Sequence, residues 1–249
     1  MGVTSMDGFI DSKSGKVAYT YNEINDSGSI VIIAHGFKSD KTSRTGTALS
    51  KKLNEAGIPT IAFDMYGHGQ SEGEMGKLTM SKAVDNALAV YDFVKKMGYK
   101  KIGLSGSSFS GMVGLIVASK RELAALSLKC PVFDYKKLWD DRVGPSGIDK
   151  WKKEGNVKIF DVEISFETYT DASKYSMCSI AGAIKAPTLV IHGSRDATVP
   201  ISQAEELISC LTCEKELFVV SGADHFFQVP QHFDKMIEKS AGWFKRFLG

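Results

Sequence analysis

Short runs of apolar and β-branched residues recur along the chain and predict the strands of a sheet. Runs of this kind lie at residues 16–21, 30–34, 60–63, 101–104, 125–128, 188–192 and 216–220. Several are apolar at nearly every position, as in Ile30-Val-Ile-Ile-Ala34. A continuous apolar run is typical of a strand that is buried on both faces. The pattern therefore predicts a mostly parallel sheet covered by helices on both sides.

The segments between these runs have the spacing of amphipathic helices. Candidate helices lie at residues 46–56, 79–97, 110–119, 202–209 and 233–247. In the second of them, apolar side chains recur every three or four residues, from Ala83 and Ala87 to Val94. Strand and helix alternate throughout, and one α/β domain commonly reaches this length. We therefore expect residues 1–249 to form a single domain.

One stretch, residues 134–185, breaks this alternation. It contains two short β-rich runs, at 157–160 and 163–166, which predict a small hairpin. A long insertion in an α/β domain is more often a lid or binding element than an idle loop. We expect a lid that contacts substrate through some of its aromatic side chains, which are Trp139, Trp151, Phe160, Phe166 and Tyr169. The alternative is an additional packing layer without substrate contact.

The charge balance gives no reason to expect a polyanionic partner. The chain has 31 basic and 29 acidic residues, a formal net charge of +2. So small a surplus does not indicate nucleic acid or an anionic membrane as a partner. The sequence contains no apolar stretch of the length of a membrane helix, and its first residues lack the pattern of a signal peptide. We therefore expect a cytoplasmic protein.

Four cysteines, Cys130, Cys178, Cys210 and Cys213, are too few for a disulfide scaffold in a chain of this size. Cys210-Leu-Thr-Cys213 has the CxxC spacing of a redox or zinc motif. A zinc site would normally need a second ligand pair, and no such pair lies nearby in the sequence. We interpret the motif as two cysteines near the end of a helix.

The strongest chemical signal is a run of small residues between a predicted strand and a predicted helix. It reads Lys101-Ile-Gly-Leu-Ser-Gly-Ser-Ser-Phe-Ser-Gly111. This resembles the nucleophile elbow of α/β-hydrolases, usually written G-x-S-x-G, in which a strained turn exposes a serine. Small residues are needed two positions either side of that serine. Here they are Gly106 and Ser110, so the resemblance implies that Ser108 is the nucleophile.

The elbow departs from the family pattern at Ser110, where glycine is usual, and this raises the question of frame. Centring the turn on Ser107 would put Phe109 in a position that needs a small residue. Centring it on Ser105 would place the nucleophile inside the strand. Serine is small enough for the turn to survive, and Ser108 is therefore the preferred nucleophile.

A second motif, Ile30-Val-Ile-Ile-Ala-His-Gly-Phe37, resembles the loop that supplies half of the oxyanion hole in this superfamily. Acyl transfer needs two N–H donors aimed at the developing oxyanion. The resemblance assigns these donors to the backbone of Phe37 and Phe109. It also implies that His35 is structural.

A third motif, Asp64-Met-Tyr-Gly-His-Gly-Gln-Ser71, resembles a D-x-x-G-H-G-x-S stretch found after a strand in many α/β-hydrolases. In those proteins it shapes a loop near the site without supplying a catalytic group. We therefore expect His68 to be structural as well.

The candidate acid lies in Leu189-Val-Ile-His-Gly-Ser-Arg-Asp-Ala-Thr-Val-Pro200, which resembles the acid-bearing loop of the family. The matching residue is Asp196. Its structural alternative is a turn or helix-capping carboxylate. Asp134 is the second candidate acid, because some branches place the acid one strand earlier.

The candidate base lies in Val219-Val-Ser-Gly-Ala-Asp-His-Phe-Phe227, which resembles the catalytic histidine loop. The match is His225, and His232 lies too close to the last helix to be preferred. The motifs follow each other in the order serine, aspartate, histidine, which distinguishes α/β-hydrolases from other triad folds.

The chain is thus identified as similar to α/β-hydrolases over nearly its whole length. The resemblance implies a mostly parallel sheet of about eight strands, flanked by helices and carrying a small lid. Serine at the elbow argues against the dehalogenase and epoxide hydrolase branches, which use aspartate. The branch of cinnamoyl and feruloyl esterases and monoacylglycerol lipases is the most similar.

The expected activity is therefore cleavage of a small-molecule carboxylic ester, without metal or organic cofactor. Thioesterase, monoacylglycerol lipase and acyl peptidase activities are alternatives on the same fold, and a non-catalytic binding protein is a further one. The sequence leaves a homodimer possible and does not identify the acyl or alcohol group.

Overall fold

An eight-stranded sheet organises the part of the chain that the computed structural model describes, residues 3–24, 28–159 and 161–249. A separate hairpin accompanies it. In chain order the strands are β1 (Thr4–Ser12), β2 (Gly15–Glu23), β3 (Ser29–Ala34), β4 (Thr60–Phe63), β5 (Lys101–Ser107), β6 (Ala125–Lys129), β7 (Asn156–Ile159), β8 (Val162–Ser165), β9 (Thr188–Gly193) and β10 (Lys215–Val220). Their order in the main sheet is β1-β2-β4-β3-β5-β6-β9-β10, and β7 pairs with β8.

The main sheet is parallel from β4 to β10, whereas β2 runs antiparallel to both of its neighbours. In β3, β4 and β9 every residue is buried, which explains their continuous apolar sequences. The predicted α/β fold with a mostly parallel sheet of eight strands is confirmed. The parallel strands bring their carboxyl ends to one edge, where open α/β sheets bind ligands.

The described residues form eight helices. They are α1 (Arg44–Glu55), α2 (Met80–Lys96), α3 (Phe109–Lys120), α4 (Tyr135–Glu154), α5 (Phe166–Ala172), α6 (Met177–Ala183), α7 (Ile201–Cys210) and α8 (Pro230–Leu248). Apolar side chains of α2, α3 and α7 pack in one core, and those of α1 and α8 pack in a second core on the opposite face. Helix α3 is buried from Phe109 to Ala118, as its apolar sequence requires.

The insertion at 134–185 contains more regular structure than the sequence pattern predicts. Its first helix, α4, is interrupted at Gly144, whose φ of 67° is non-helical, and Pro145 follows. The predicted hairpin is present as β7 and β8, one residue earlier than expected. Helices α5 and α6 follow, and the prediction for Phe160 lies outside the described residues.

The amino edge of the sheet carries a disulfide that the sequence did not indicate. Cys210, the last residue of α7, bonds Cys178 of α6, with a Cα–Cα distance of 5.2 Å. Cys213 is a free thiol, so the CxxC spacing does not form a bonded pair. A disulfide is more typical of an oxidising compartment than of the cytoplasm. Within the described residues, no helix has the length and apolarity that crossing a membrane requires.

Candidate active site

Ser108 occupies a strained turn between β5 and α3. Its φ of 55° and ψ of −114° lie outside the regions that side-chain-bearing residues prefer. Backbone hydrogen bonds hold this geometry: Ser108 N–H donates to the Lys129 carbonyl at 2.9 Å, and the Ser108 carbonyl accepts from Val132 N–H at 3.0 Å. A Cβ at Gly106 would collide with the Ser110 carbonyl, so the turn needs glycine there. This is the elbow geometry that the sequence indicated.

His225 bridges Ser108 and Asp196 across loops that lie far apart in sequence. Its Nε2 is 3.0 Å from Ser108 Oγ, and its Nδ1 is 2.7 Å from Asp196 Oδ2. His225 lies between β10 and α8, and Asp196 follows β9, so both come from the carboxyl edge of the sheet. The structure thus brings together the serine, histidine and aspartate that the sequence singled out.

Asp196 is held by hydrogen bonds within its own loop as well as by His225. Its Oδ1 accepts hydrogen bonds from the N–H groups of Thr198 and Val199, each at 2.8 Å. Burial by itself would raise the pKa of this carboxyl. The hydrogen bonds from His225, Val199 and the Cys130 thiol outweigh burial and lower the pKa of Asp196 below its usual range. The carboxyl group therefore stays ionised beside the imidazole.

A second histidine lies behind the acid, within the same His-Gly motif. His192 Nε2 donates to the Val199 carbonyl at 2.9 Å and lies 3.4 Å from Asp196 Oδ2. Its burial lowers its pKa, so the ring is neutral at ordinary pH. His192 therefore supports the acid loop sterically without competing with His225 for the carboxylate.

Two backbone N–H groups point to an oxyanion site beside Ser108. The N–H of Phe109 begins α3 and has no intrahelical acceptor, as at every helix start. The N–H of Phe37 likewise donates to no protein acceptor within the described residues. Phe37 and Phe109 both line a cavity that Ser108 also lines. The two residues expected to supply the oxyanion donors therefore lie at the same cavity as Ser108.

The two other motif histidines hold the Phe37 loop in place. His35 Nδ1 donates to the Gly36 carbonyl at 2.7 Å, and its Nε2 accepts from Met65 N–H at 3.0 Å. His68 Nε2 similarly accepts from Lys38 N–H at 3.2 Å. Burial lowers the pKa of His35 to about 4 and also lowers that of His68. Both rings are therefore neutral and hold backbone groups by hydrogen bonds.

Ser110, the departure from the glycine pattern, makes a contact that glycine lacks. The residue is fully buried, and its hydroxyl donates to the His35 carbonyl. That bond joins the start of α3 to the loop that carries Phe37. Ser110 therefore connects the two segments that carry Phe37 and Phe109, the residues of the candidate oxyanion site.

Two cavities meet at Ser108. The smaller has a volume of about 70 Å³ and lies under the insertion; Trp139, Tyr135 and Leu138 line it with Phe37 and Phe109. The larger, about 560 Å³, opens on the other side and is lined by His225 and Phe226. An open depression of about 720 Å³ between α1 and β2 contains no triad residue, so volume alone does not locate the site.

The predicted substrate-contacting aromatics divide into two groups. Trp139 lines the smaller cavity. Trp151, Phe166 and Tyr169 do not line it; they pack behind Trp139 as a cluster of edge-to-face and stacked rings. Trp151 is fully buried, and its indole N–H donates to the Ile164 carbonyl at 3.0 Å. The insertion thus lines the smaller cavity at Trp139 and forms a layer of packed rings further out.

Sequence reasoning missed several residues of these cavities. Tyr135, Leu138, Ile159, Ile164, Arg142 and Thr198 line the smaller one. Arg142 donates to the Thr198 carbonyl at 3.0 Å and lies over the Trp139 ring. The apolar spacing of Tyr135, Leu138 and Trp139 along α4 was the one available signal.

The alternative site residues occupy structural positions. Asp134 caps α4, because its Oδ1 accepts from Lys137 N–H at 2.9 Å. Ser105 and Ser107 lie within β5, as expected from the chosen frame. His232 belongs to α8, near Gly222. The geometry therefore supports Asp196 over Asp134 and His225 over His232.

One group of potential metal ligands comes together among the described residues, and it overlaps the triad. The ligand atoms of Cys130, Asp196 and His225 lie within 4.8 Å of one another. Burial raises the pKa of the Cys130 thiol, which opposes the thiolate form that a metal needs. Because His225 and Asp196 are already engaged with each other, these residues fit a metal poorly.

The fold and the site geometry agree with comparisons to known proteins. A family model described as serine aminopeptidase, S33, matches residues 25–159, more than half of the chain. The chain therefore belongs to this family of serine hydrolases with the α/β-hydrolase fold.

Curated relatives are distant. An uncharacterised 31.7 kDa protein of Escherichia coli, from the traX-finO intergenic region, is 22% identical over 261 residues, covering 88% of this chain and 91% of its own. An acyl transferase of Aliivibrio fischeri is 25% identical over 209 residues, covering 78% of this chain and 66% of its own.

Solved structures give a much stronger likeness in fold. Est1E from Butyrivibrio proteoclasticus, with ferulic acid bound, superposes with a TM-score of 0.86 at 23% identity, covering 96% of this chain and 98% of its own. A Pyrococcus furiosus esterase superposes with a TM-score of 0.78 at 20% identity, covering 99% and 92%.

Proposed function

We propose that this protein hydrolyses a carboxylic ester through an acyl-enzyme formed on Ser108. The observation that carries the proposal is the position of His225, with Nε2 3.0 Å from Ser108 Oγ and Nδ1 2.7 Å from Asp196 Oδ2. The carboxylate fixes the imidazole tautomer that has a proton on Nδ1, which leaves Nε2 free to accept the serine proton.

The reaction has two halves on the same residues. In the first, Ser108 Oγ bonds the acyl carbon, His225 takes its proton and returns it to the departing alcohol oxygen. In the second, His225 takes a proton from water, whose oxygen attacks the acyl carbon. The bond between that carbon and Ser108 Oγ then breaks, and His225 gives the proton to Ser108 Oγ as the acid leaves. The N–H groups of Phe37 and Phe109 stabilise the oxyanion in both halves, and removing one such donor typically costs about 10²–10³ in turnover.

The cavities favour a short acyl group. The leaving oxygen must lie within hydrogen-bond reach of His225, so the alcohol part occupies the larger cavity, which His225 lines. The acyl part then occupies the smaller cavity of about 70 Å³. A site for one water needs about 10–15 Å³ on this measure, so the cavity has room for only a few heavy atoms. Acetyl to butyryl esters fit this space better than feruloyl esters.

A fluorophosphonate probe and an ester series test the proposal. We expect the probe to label the wild-type protein, and the Ser108→Ala variant to lose both labelling and hydrolysis while keeping its melting temperature. The substrates compared are p-nitrophenyl esters of rising chain length, methyl ferulate, monoacylglycerols and an acyl-CoA. Among them, the p-nitrophenyl esters with short acyl chains should have the highest kcat/KM. Labelling that persists and maps to Ser105 or Ser107 would show that the nucleophile is misassigned. A protein that neither labels nor hydrolyses any ester would be a binding protein.

Acyl transfer is a second candidate function, because acyl transferases are among the curated relatives. The larger cavity beside His225 is open and would admit an acceptor alcohol in place of water. Adding glycerol or a short alcohol to the ester assay separates the two functions. A transferase would convert most of the acyl group to the new ester, whereas a hydrolase would release mainly the free acid.

A further inference from the structure

The larger cavity at Ser108 is lined by positive charge. Its titratable lining residues besides His225 are the basic residues Lys38, Arg44 and Lys129, and no aspartate or glutamate of the described chain lines it. Hydroxyl groups complete the polar wall, from Ser39, Ser43, Thr45 and Ser107.

Lys129 is the most unusual of these residues because it is half-buried next to the nucleophile. It ends β6, opposite Ser107 of β5, and its carbonyl accepts the N–H of Ser108. Burial lowers the pKa of its ammonium, although Asp196 and Asp224 are near enough to oppose that effect. Within the described residues, no carboxylate oxygen comes within 4.0 Å of Lys129 Nζ. Lys129 is thus a half-buried ammonium at the wall of this cavity, without a carboxylate partner among the described residues.

Arg44 converges on the same place from the start of α1. Its guanidinium lies 3.8 Å from the centre of the Phe233 ring, and Nη1 is 3.5 Å from the Phe227 carbonyl. Lys129 Nζ lies 5.7 Å from the centre of the Phe227 ring. The two cations therefore flank Phe227, two residues after His225, and no described carboxylate pairs with either of them.

We propose that this cavity binds an anionic group, a carboxylate or a phosphate, on the alcohol side of the ester, with Lys129 and Arg44 in contact with it. The proposal rests on the ester hydrolysis proposed above, because that reaction assigns the alcohol group to the His225 side. A charged oxygen at this position would make charge-assisted hydrogen bonds, which are shorter and stronger than those between neutral groups.

The test compares esters that differ only in charge on the alcohol side. 4-Acetoxybenzoate and methyl 4-acetoxybenzoate share the acyl group and the ring, and 4-acetoxyphenyl phosphate supplies the phosphate arm. The measured quantity is the ratio of kcat/KM for the anionic ester to that for the neutral ester. Lys129→Met and Arg44→Gln should each lower this ratio about tenfold or more. The anionic ester whose ratio falls more in these variants, the carboxylate or the phosphate, carries the group that the site prefers.

Lys101→Met is the matched control, because it removes one positive charge from the opposite end of β5. It should leave the ratio unchanged. The wild-type ratio should also fall as salt rises, since ions screen the attraction. Equal ratios in the wild type and the variants would overturn the proposal. Equal losses for both esters in Lys129→Met would also overturn it, because the lysine would then act on the triad.

A second readout does not depend on turnover. 4-Hydroxybenzoate should slow fluorophosphonate labelling of Ser108 more than methyl 4-hydroxybenzoate does, and Lys129→Met should remove the difference. If the protein hydrolyses none of these three acetate esters and none of the esters in the series above, the proposed function fails, and this comparison still decides the anion site as long as Ser108 is labelled. Equal protection by the acid and the methyl ester would refute the site.

Discussion

The replacement Asp196→Asn changes one atom of the candidate triad, and the structure predicts which way the new amide turns. Asp196 Oδ1 accepts two backbone N–H groups, from Thr198 and Val199, and Oδ2 accepts from His225. Asparagine has only one acceptor oxygen. If that oxygen faced His225, the amide NH₂ would face two N–H donors, which costs two hydrogen bonds of about 1 kcal/mol each and adds repulsion. The amide oxygen of the new asparagine will therefore keep accepting the backbone N–H groups of Thr198 and Val199.

The amide NH₂ then faces His225 Nδ1, which must become the acceptor. The ring proton moves to Nε2, and the imidazole can no longer take the proton of Ser108. The same change in the serine protease triad lowers turnover about 10⁴-fold, which corresponds to about 5.5 kcal/mol of lost transition-state stabilisation. We expect a similar fall in kcat for a short p-nitrophenyl ester, with a parallel fall in the rate of fluorophosphonate labelling.

Asp134→Asn is the matched control. Asp134 caps α4 through Lys137 N–H, and asparagine caps helices as well as aspartate does. Its activity and melting temperature should therefore remain near those of the wild type. The reasoning would be refuted if Asp196→Asn retained activity within tenfold of the wild type, or if Asp134→Asn proved the more damaging change.

Two further predictions concern acid stability and acyl preference. The pKa of His35 is about 4 when folded and about 6.5 when unfolded, so protons bind the unfolded chain more strongly between these values. His35 should therefore lower the free energy of unfolding by about 3 kcal/mol as pH drops from 6.5 to 4. Urea titrations at the two pH values should show a smaller fall for the His35→Gln variant than for the wild type. Equal falls in the two proteins would contradict this. Trp139→Ala should enlarge the acyl cavity and improve kcat/KM for longer esters about fourfold per added CH₂, at about 0.8 kcal/mol each. Trp151→Phe, one ring further out, should lower the melting temperature without changing that preference.

The candidate triad was predictable because each of its members lies in a short motif whose turn is dictated locally. Gly106 fits beneath the Ser110 carbonyl, and the N–H groups of Thr198 and Val199, two and three residues after Asp196, hold its carboxylate. Strand and helix positions were predictable for a related reason, since burial on both faces gives continuous apolar runs. β1 escaped detection because most of its residues are exposed, so burial leaves little apolar pattern in its sequence.

The cavities were not predictable, because they depend on contacts between distant segments. Nothing near Lys129 in the sequence indicates that its ammonium lies by the ring of Phe227, whose carbonyl is near Arg44. The bond between Cys178 and Cys210 likewise depends on how α6 packs against α7. The break at Gly144, which divides α4, has no counterpart in the apolar spacing.

The insertion lines the smaller cavity, and its aromatic rings also pack against Phe109, the residue after Ser108. Phe109 contacts Tyr135 edge to face, Tyr135 contacts Trp139, and Trp139 contacts Trp151, with ring centres between 5.3 and 5.9 Å apart. Phe109 also carries one of the two candidate oxyanion N–H groups. These rings therefore form one continuous stack that ends at Phe109, the residue after Ser108. Because such stacks are densely packed, a change at Trp139 alters the space available to the acyl group, whereas a change at Trp151 alters the support behind it.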